Sequence, residues 1–239
     1  MKIDVLTLFP GICDGALAES MIGRARRRGL VDLNFHDIRD WAENKHRRVD
    51  DAPFGGGAGM VMTPGPAVRA VEAVAKPGAR VVFLTPQGAP FDQAAARRLA
   101  SDEHLVLLCG HYEGIDHRVV DLCVDEELSI GDYVLTNGAL AAAVVIDAVT
   151  RLLPGVLGDE RSAIDESFAE GLLEAPHYTR PAEFRDLRVP EVLLGGHHGE
   201  IERWRRQQSI ERTRTMRPDL YQKWLAEQPA NSSAPPDNP

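Results

Sequence analysis

The chain has 239 residues, 44% of them hydrophobic and 26% charged, enough for one sizeable α/β core and a smaller second unit, which excludes disorder throughout. A formal net charge of -9 argues against a protein that neutralises phosphates over its whole surface. The cysteines Cys13, Cys109 and Cys123 are odd in number and share no CxxC spacing, so neither a disulfide framework nor a zinc site is implied, and a reducing, cytoplasmic compartment is expected.

In chain order, the first apolar run, residues 5–9, reads as a strand; Asp4 and Pro10 beside it rule out a signal-peptide core. Leu17, Met21 and Ala25 then follow a helical period up to Gly29, and residues 31–35 read as a second strand. After a glycine cluster, Val68, Val71 and Val74 predict a helix ended by Pro77-Gly78. Strands at 81–84 and 105–109 flank a helix carrying Phe91, Ala95 and Leu99. Both strands are apolar on both faces, which suits a parallel sheet covered by helices on each side. The stripe Leu140, Val144, Ala148 and Leu152 predicts a helix whose apolar side serves core packing or an oligomer seam, and Pro154-Gly155 ends it. Residues 138–149, the longest apolar stretch, contain Asp147 and are too short to span a bilayer, so no membrane role is expected. A polar, acidic stretch from Asp159 to Ser167 reads as a linker, residues 200–217 as a helix rich in arginine, and the tail from Pro229 as disordered.

Three groups of residues carry candidate chemistry. The cluster Phe54-Gly55-Gly56-Gly57-Ala58-Gly59-Met60 lacks the lysine of a phosphate-binding loop and does not directly follow a strand. With Lys45, Arg47 and Arg48 upstream and Asp50 and Asp51 able to accept from base edges, it reads as a loop approaching nucleic acid, a tight structural turn being the alternative. Leu84-Thr85-Pro86-Gln87-Gly88, Cys109-Gly110-His111-Tyr112-Glu113-Gly114 and residues 129–138 form the second group. The first two start at carboxyl ends of predicted strands, where open α/β sheets bind ligands, and their small residues let backbone groups approach a planar ring. The third group is basic: Arg24, Arg26, Arg27 and Arg28 crowd one helix end, and Arg203, Arg205, Arg206, Arg212, Arg214 and Arg217 outnumber the acids around them. With Trp204 and Tyr221 nearby, the second cluster suits folded RNA. His104, His111 and His117 fit no metal spacing, His197-His198 reads as an interdomain turn, and no Gly-x-Ser-x-Gly or Cys/His nucleophile pattern occurs.

The ordered run of these motifs, with Arg151 to Gly158 and Pro176-His177-Tyr178-Thr179-Arg180-Pro181, resembles the bacterial tRNA (guanine-N1)-methyltransferases that modify guanosine 37 beside the anticodon, members of the SPOUT class. The resemblance covers nearly the whole chain before the tail. It implies a SPOUT methyltransferase domain over 1–159, with a parallel sheet and a deep trefoil knot, a flexible linker over 160–170, an all-helical tRNA-binding domain over 171–228 and a disordered tail over 229–239. It implies a homodimer with the active site at the subunit interface, tRNA as partner, S-adenosylmethionine as cofactor and a dependence on Mg²⁺ whose ligands no motif marks. Carried over by position, the cofactor contacts fall on Phe83, Leu84, Pro86, Gly110, Glu113, Ser129, Ile130, Gly131, Asp132, Tyr133, Val134, Leu135 and Gly138. The catalytic arginine falls on Arg151 and the linker serine on Ser162, and together with Ser162 the expected tRNA contacts are Asp50, Gly55, Gly57 and Gly59 of the glycine loop, Arg180, and Arg203 and Arg206 of the basic helix. Asn137, Ala141 and His111 stand where the family usually has Gly, Pro and Arg. Its general-base Asp is Glu166 here, with Asp165 beside it as the second candidate.

Methylation at guanine N1 needs a base for the N1 proton and a cation or donor for charge growing at O6, roles a linker carboxylate and Arg151 can fill. Two other readings are a nucleotide hydrolase or kinase built on the glycine cluster, against which the missing phosphate-loop lysine counts, and a catalytically silent tRNA-binding protein on the same fold.

Overall fold

The computed structural model describes residues 1–158 and 166–228. The chain divides into two compact units, Met1–Glu160 and Arg161–Pro239.

The first unit is built on a five-stranded parallel sheet. Its strands are β1 (Lys2–Thr7), β2 (Asp32–Asp37), β5 (Arg80–Pro90), β6 (His104–Cys109) and β7 (Glu126–Ser129), in the order β2-β1-β6-β5-β7. A short antiparallel pair, β3 (Asp50–Asp51) and β4 (Val61–Met62), frames the glycine cluster. Central β6 is buried at every position, as its unbroken apolar run predicts for a strand covered on both faces. On one face, Ile3, Val5, Leu105 and Leu107 pack with helices α1 (Pro10–Ala16), α2 (Ser20–Arg27) and α6 (Ala139–Thr150). On the other, Leu6, Leu8, Val106 and Leu108 pack with α3 (Pro64–Val74) and α5 (His117–Cys123). Helix α4 (Gln93–Ala100) joins the first face through Leu99, and its Asp92 cap accepts from the Ala95 amide at 2.8 Å.

Three local departures from the predicted elements have physical causes. The helix expected through Leu17, Met21 and Ala25 is two helices, broken between Ala16 and Ser20, where Ser20 takes a positive φ of 54°. Strand β7 has no apolar signature because it is an edge strand opening with Glu126, which pairs with Arg98. The stripe Leu140, Val144, Ala148 and Leu152 is not core: Ala139, Ala142, Val145, Ile146 and Val149 face the sheet, while Leu140 and Val144 are exposed.

In the second unit, β8 (Glu183–Phe184) and β9 (Leu187–Arg188) form a hairpin, followed by α7 (Glu191–Leu194), α8 (His198–Met216) and α9 (Pro218–Glu227). The all-helical expectation is therefore corrected at 183–188: Arg185 and Asp186 both take positive φ, 50° and 66°, which gives the tight turn a two-residue hairpin requires. His197 and His198, expected in an interdomain turn, instead begin α8. Residues 166–174 run along α8, where buried Thr213 accepts from the Leu173 amide at 2.8 Å and donates to the Ser209 carbonyl at 2.7 Å. Among the described residues no helix is long and apolar enough to cross a membrane.

Candidate functional site

The carboxyl ends of three neighbouring strands, β6, β5 and β7, open into one cavity of about 250 Å³. Parallel strands all point their carboxyl ends the same way, so loops leaving them converge there. Phe83, Leu84 and Pro86 come from β5; Gly110 and Glu113 from the turn after β6; Ser129, Ile130, Gly131, Tyr133, Val134, Leu135 and Gly138 from β7 and the stretch leading into α6. All the expected cofactor contacts except Asp132 thus line one cavity; Asp132 lies exposed in the same loop. His111, Tyr112, Gln87, Thr136 and Asn137 also line it.

Backbone rather than charged side chains shapes this cavity. The Gly138 amide donates to the Gly110 carbonyl at 2.9 Å, and a Cβ on Gly138 would stand 3.0 Å from Cys109 Cα. At Gly110 a Cβ would come within 3.3 Å of the Phe83 ring. The cavity therefore offers apolar walls and peptide groups, a surface suited to a nucleoside whose ring edge donates and accepts without carrying charge.

Beside the cavity, His111 is buried and its Nε2 lies 3.0 Å from Thr7 Oγ1 and 3.1 Å from the Leu8 amide nitrogen. Burial, reinforced by the Arg39 charge and opposed by Asp37, lowers its pKa to about 4. Neither of the two fully buried thiols lines the cavity. Burial pushes Cys109 well above the ordinary thiol range and Cys13 up to about 11, where its Sγ donates to the Ala139 carbonyl at 3.0 Å.

The glycine cluster joins the same wall. The Glu113 amide donates to the Met60 carbonyl and the Met62 amide to the Gly114 carbonyl, both at 3.0 Å. Gly55, Gly57 and Gly59 all take positive φ, and Phe54 at the tip is fully exposed. Asp50 opens the loop, its carbonyl accepting from Arg48 Nε at 2.8 Å. The upstream basic residues are partly engaged within the fold, as is the α2 cluster: Arg26 pairs with Asp14 at 2.9 Å and Arg28 donates to the Gly155 carbonyl at 2.8 Å.

Arg151 stands at the far end of α6 from the cavity, its amide donating to the Asp147 carbonyl at 3.1 Å. Twelve helical residues separate Gly138 from Arg151, about 18 Å along the axis. Arg151 is not among the residues that line the cavity.

In the second unit, Glu166 lines a polar recess with Glu170, Arg205 and Arg206. Asp165 and Ser162 lie outside the described residues. Arg206 pairs with Glu170 at 2.7 Å and sits 5.6 Å over the Trp224 ring, whereas Arg203 donates to the Gly199 carbonyl at 3.2 Å. Arg180 borders a separate recess with Tyr178 and Trp204. Arg214 and Arg217 are paired with Glu211 and Asp219, so the helix presents fewer unengaged cations than its composition suggests. Among the described residues no group of three or more His, Cys, Asp or Glu can hold a metal ion.

A profile of the family described as tRNA (Guanine-1)-methyltransferase TrmD matches residues 1–223. A Geobacter sulfurreducens protein named tRNA (guanine-N(1)-)-methyltransferase is 60% identical over 225 residues, covering 93% of this chain and 92% of that relative. Similar proteins of the same name are 59% identical in Pelotomaculum thermopropionicum, over 92% of this chain and 89% of the relative, and 54% identical in Brevibacillus brevis, over 93% and 92%.

Proposed function

The chain belongs to the tRNA (guanine-1)-methyltransferase family, and from that premise we propose that it transfers a methyl group from S-adenosylmethionine to N1 of guanosine 37 in tRNA. The observation that carries the reading is the cavity at the ends of β5, β6 and β7, whose apolar walls and close-packed glycines fit a nucleoside cofactor. When bound, S-adenosylmethionine supplies a methyl activated by a sulfonium centre and leaves as a neutral thioether.

The chain's own residues have two tasks. In neutral guanine N1 carries a proton, which the Glu166 carboxylate accepts as N1 gains its methyl; Asp165 is the other carboxylate in reach along the chain. As the N1–H bond breaks, negative charge grows on O6, and the Arg151 guanidinium offsets it. Since Arg151 stands about a helix length from the cavity of its own chain, we assign the site to a homodimer in which one protomer holds the cofactor and its partner supplies the catalytic pair. The exposed Leu140 and Val144 on α6 support that pairing, because an apolar face left open in a monomer is covered in a dimer. The close crossing of Gly138 on Gly110 is the place where a trefoil knot would tighten around the cofactor. We further place a linker around 160–170 between a catalytic and a tRNA-binding domain, the latter holding the RNA through Arg180 and Arg203, with the 50–59 loop near the target base. The three free cysteines fit a cytoplasmic enzyme. With no cluster of three or more His, Cys, Asp or Glu among the described residues, Mg²⁺ would be held by at most one or two carboxylates together with water and tRNA phosphates.

A catalytically silent tRNA binder would leave the cavity without a purpose. The test is incubation of labelled S-adenosylmethionine with tRNA transcripts carrying or lacking a guanosine at position 37. Label entering only the first, at N1, is the expected outcome; tRNA binding with no label transferred overturns the reading.

A further inference from the structure

His111 holds an unusual position: one side of its turn lines the cofactor cavity, while its ring reaches back to the end of β1. A backbone amide can only donate. The Leu8 amide, 99% buried with its residue and 3.1 Å from Nε2, therefore requires that nitrogen to be bare. The Thr7 hydroxyl accepts from the Phe9 amide at 3.2 Å, leaving its own proton free to point at the same Nε2. Only the tautomer protonated at Nδ1 satisfies all three groups; either the other tautomer or the imidazolium would strand a buried amide. The surroundings agree. Phe9 packs on the imidazole at 5.5 Å, and Arg39, donating to the Leu8 carbonyl at 2.7 Å, lies 5.2 Å over Phe9 and places a positive charge near the ring. Asp37 opposes that charge and is itself engaged by Arg39 at 3.2 Å. Glu113 and Tyr112 are the ionisable groups in the turn itself.

We propose that His111 is a positioning residue for methyl transfer, a neutral imidazole whose bare Nε2 fastens the 110–114 turn, and with it one wall of the cofactor cavity, to the end of β1. The proposal rests on the reading of that cavity as the S-adenosylmethionine site. Three observations on the intact protein test it. Nitrogen NMR of the histidine rings should show one with Nε2 unprotonated and Nδ1 carrying hydrogen, unchanged from pH 8 to pH 5. His111→Gln, which keeps an acceptor at similar reach, should bind S-adenosylmethionine within about threefold of wild type. His111→Leu and His111→Phe, which have none, should weaken it by about tenfold or more, the usual consequence of stranding a buried donor. Should His111→Leu fail to fold, the His111→Phe and His111→Gln comparison and the ring spectrum decide. A ring protonated at Nε2, a ring titrating near pH 6.5, or equal affinity in all variants overturns the proposal. If wild type itself binds no S-adenosylmethionine, the functional reading falls instead, and the tautomer still judges the fastening.

Discussion

Gly110 and Gly138 meet backbone to backbone, the Gly138 amide 2.9 Å from the Gly110 carbonyl, so the turn after β6 and the start of α6 are fixed to one another at the cavity floor. Gly138 has an ordinary φ of -77°, and what requires glycine there is space, not conformation.

Gly138→Ala should therefore act through sterics alone. Its methyl would meet Cys109 and Gly110 backbone atoms at 3.0–3.1 Å, neither of which can swing aside. We expect at least tenfold weaker S-adenosylmethionine binding and a lower melting temperature, in the range of about 1–3 kcal/mol for overpacking. Calorimetry and thermal melts check this, and wild-type affinity would show that the crossing is slack.

Glu166→Gln should keep tRNA and cofactor binding yet lose about a hundred- to ten-thousand-fold in single-turnover rate, the range for a lost general base. Glu166→Asp should stay active and Asp165→Asn should be mild. Rates at saturating tRNA and cofactor across a pH series decide; the reverse pattern would make Asp165 the base.

Mixing a protomer disabled at the cavity by Gly138→Ala with one disabled by Glu166→Gln should restore turnover, since one heterodimer site would then be intact. Val144→Arg, placing a charge on the exposed face of α6, should give monomers with little activity. Full activity in a monomeric Val144→Arg variant would end the shared-site account.

Asp4 offers a stability test away from the site. Burial works against its charge, but hydrogen bonds from Lys2, His36 and His104 outweigh it and hold its carboxyl below the usual range. A carboxylate whose folded pKa is depressed stabilises the protein above its unfolded value, about 3.9, and that contribution fades as pH falls through the folded value. Asp4→Asn should lower stability by about 3–5 kcal/mol at neutral pH, as expected when one member of a buried charged network is removed. Its denaturation curve should also be flatter than wild type below pH 4; parallel curves would mean that Asp4 is not the titrating group.

Arg203 and Arg206 should separate by their surroundings. Arg203→Ala should lower the salt slope of tRNA binding by about one and leave the melting temperature alone. Arg206→Ala should also destabilise the second unit, because it removes the contact with Glu170 and the Trp224 ring.

What was legible in the sequence follows from how much each feature depends on local chemistry. The apolar run 104–109 announces a buried strand by itself, and the glycine-bearing turns at strand ends mark a ligand cavity from residue type and position alone. Helix α6 is apolar nearly all round, so periodicity finds the helix but cannot choose its buried face, and the Leu140 stripe points outward. Strand β7 escapes notice because Glu126 and Glu127 suit an edge better than a core. The role of His111 has no local signature at all, since its partners lie more than a hundred positions earlier.

The 110–114 turn has two neighbours: it is a wall of the cavity, and through Glu113 and Gly114 it carries the ends of the glycine loop at Met60 and Met62. Two ligands that lean on one turn are thermodynamically linked. If the nucleoside and the RNA both bind against that turn, ordering imposed by one is ordering the other no longer has to supply, and each would raise the affinity for the other by the same factor. Measured in both directions, that factor would express in a single number how far the enzyme commits a methyl donor only when an acceptor is at hand.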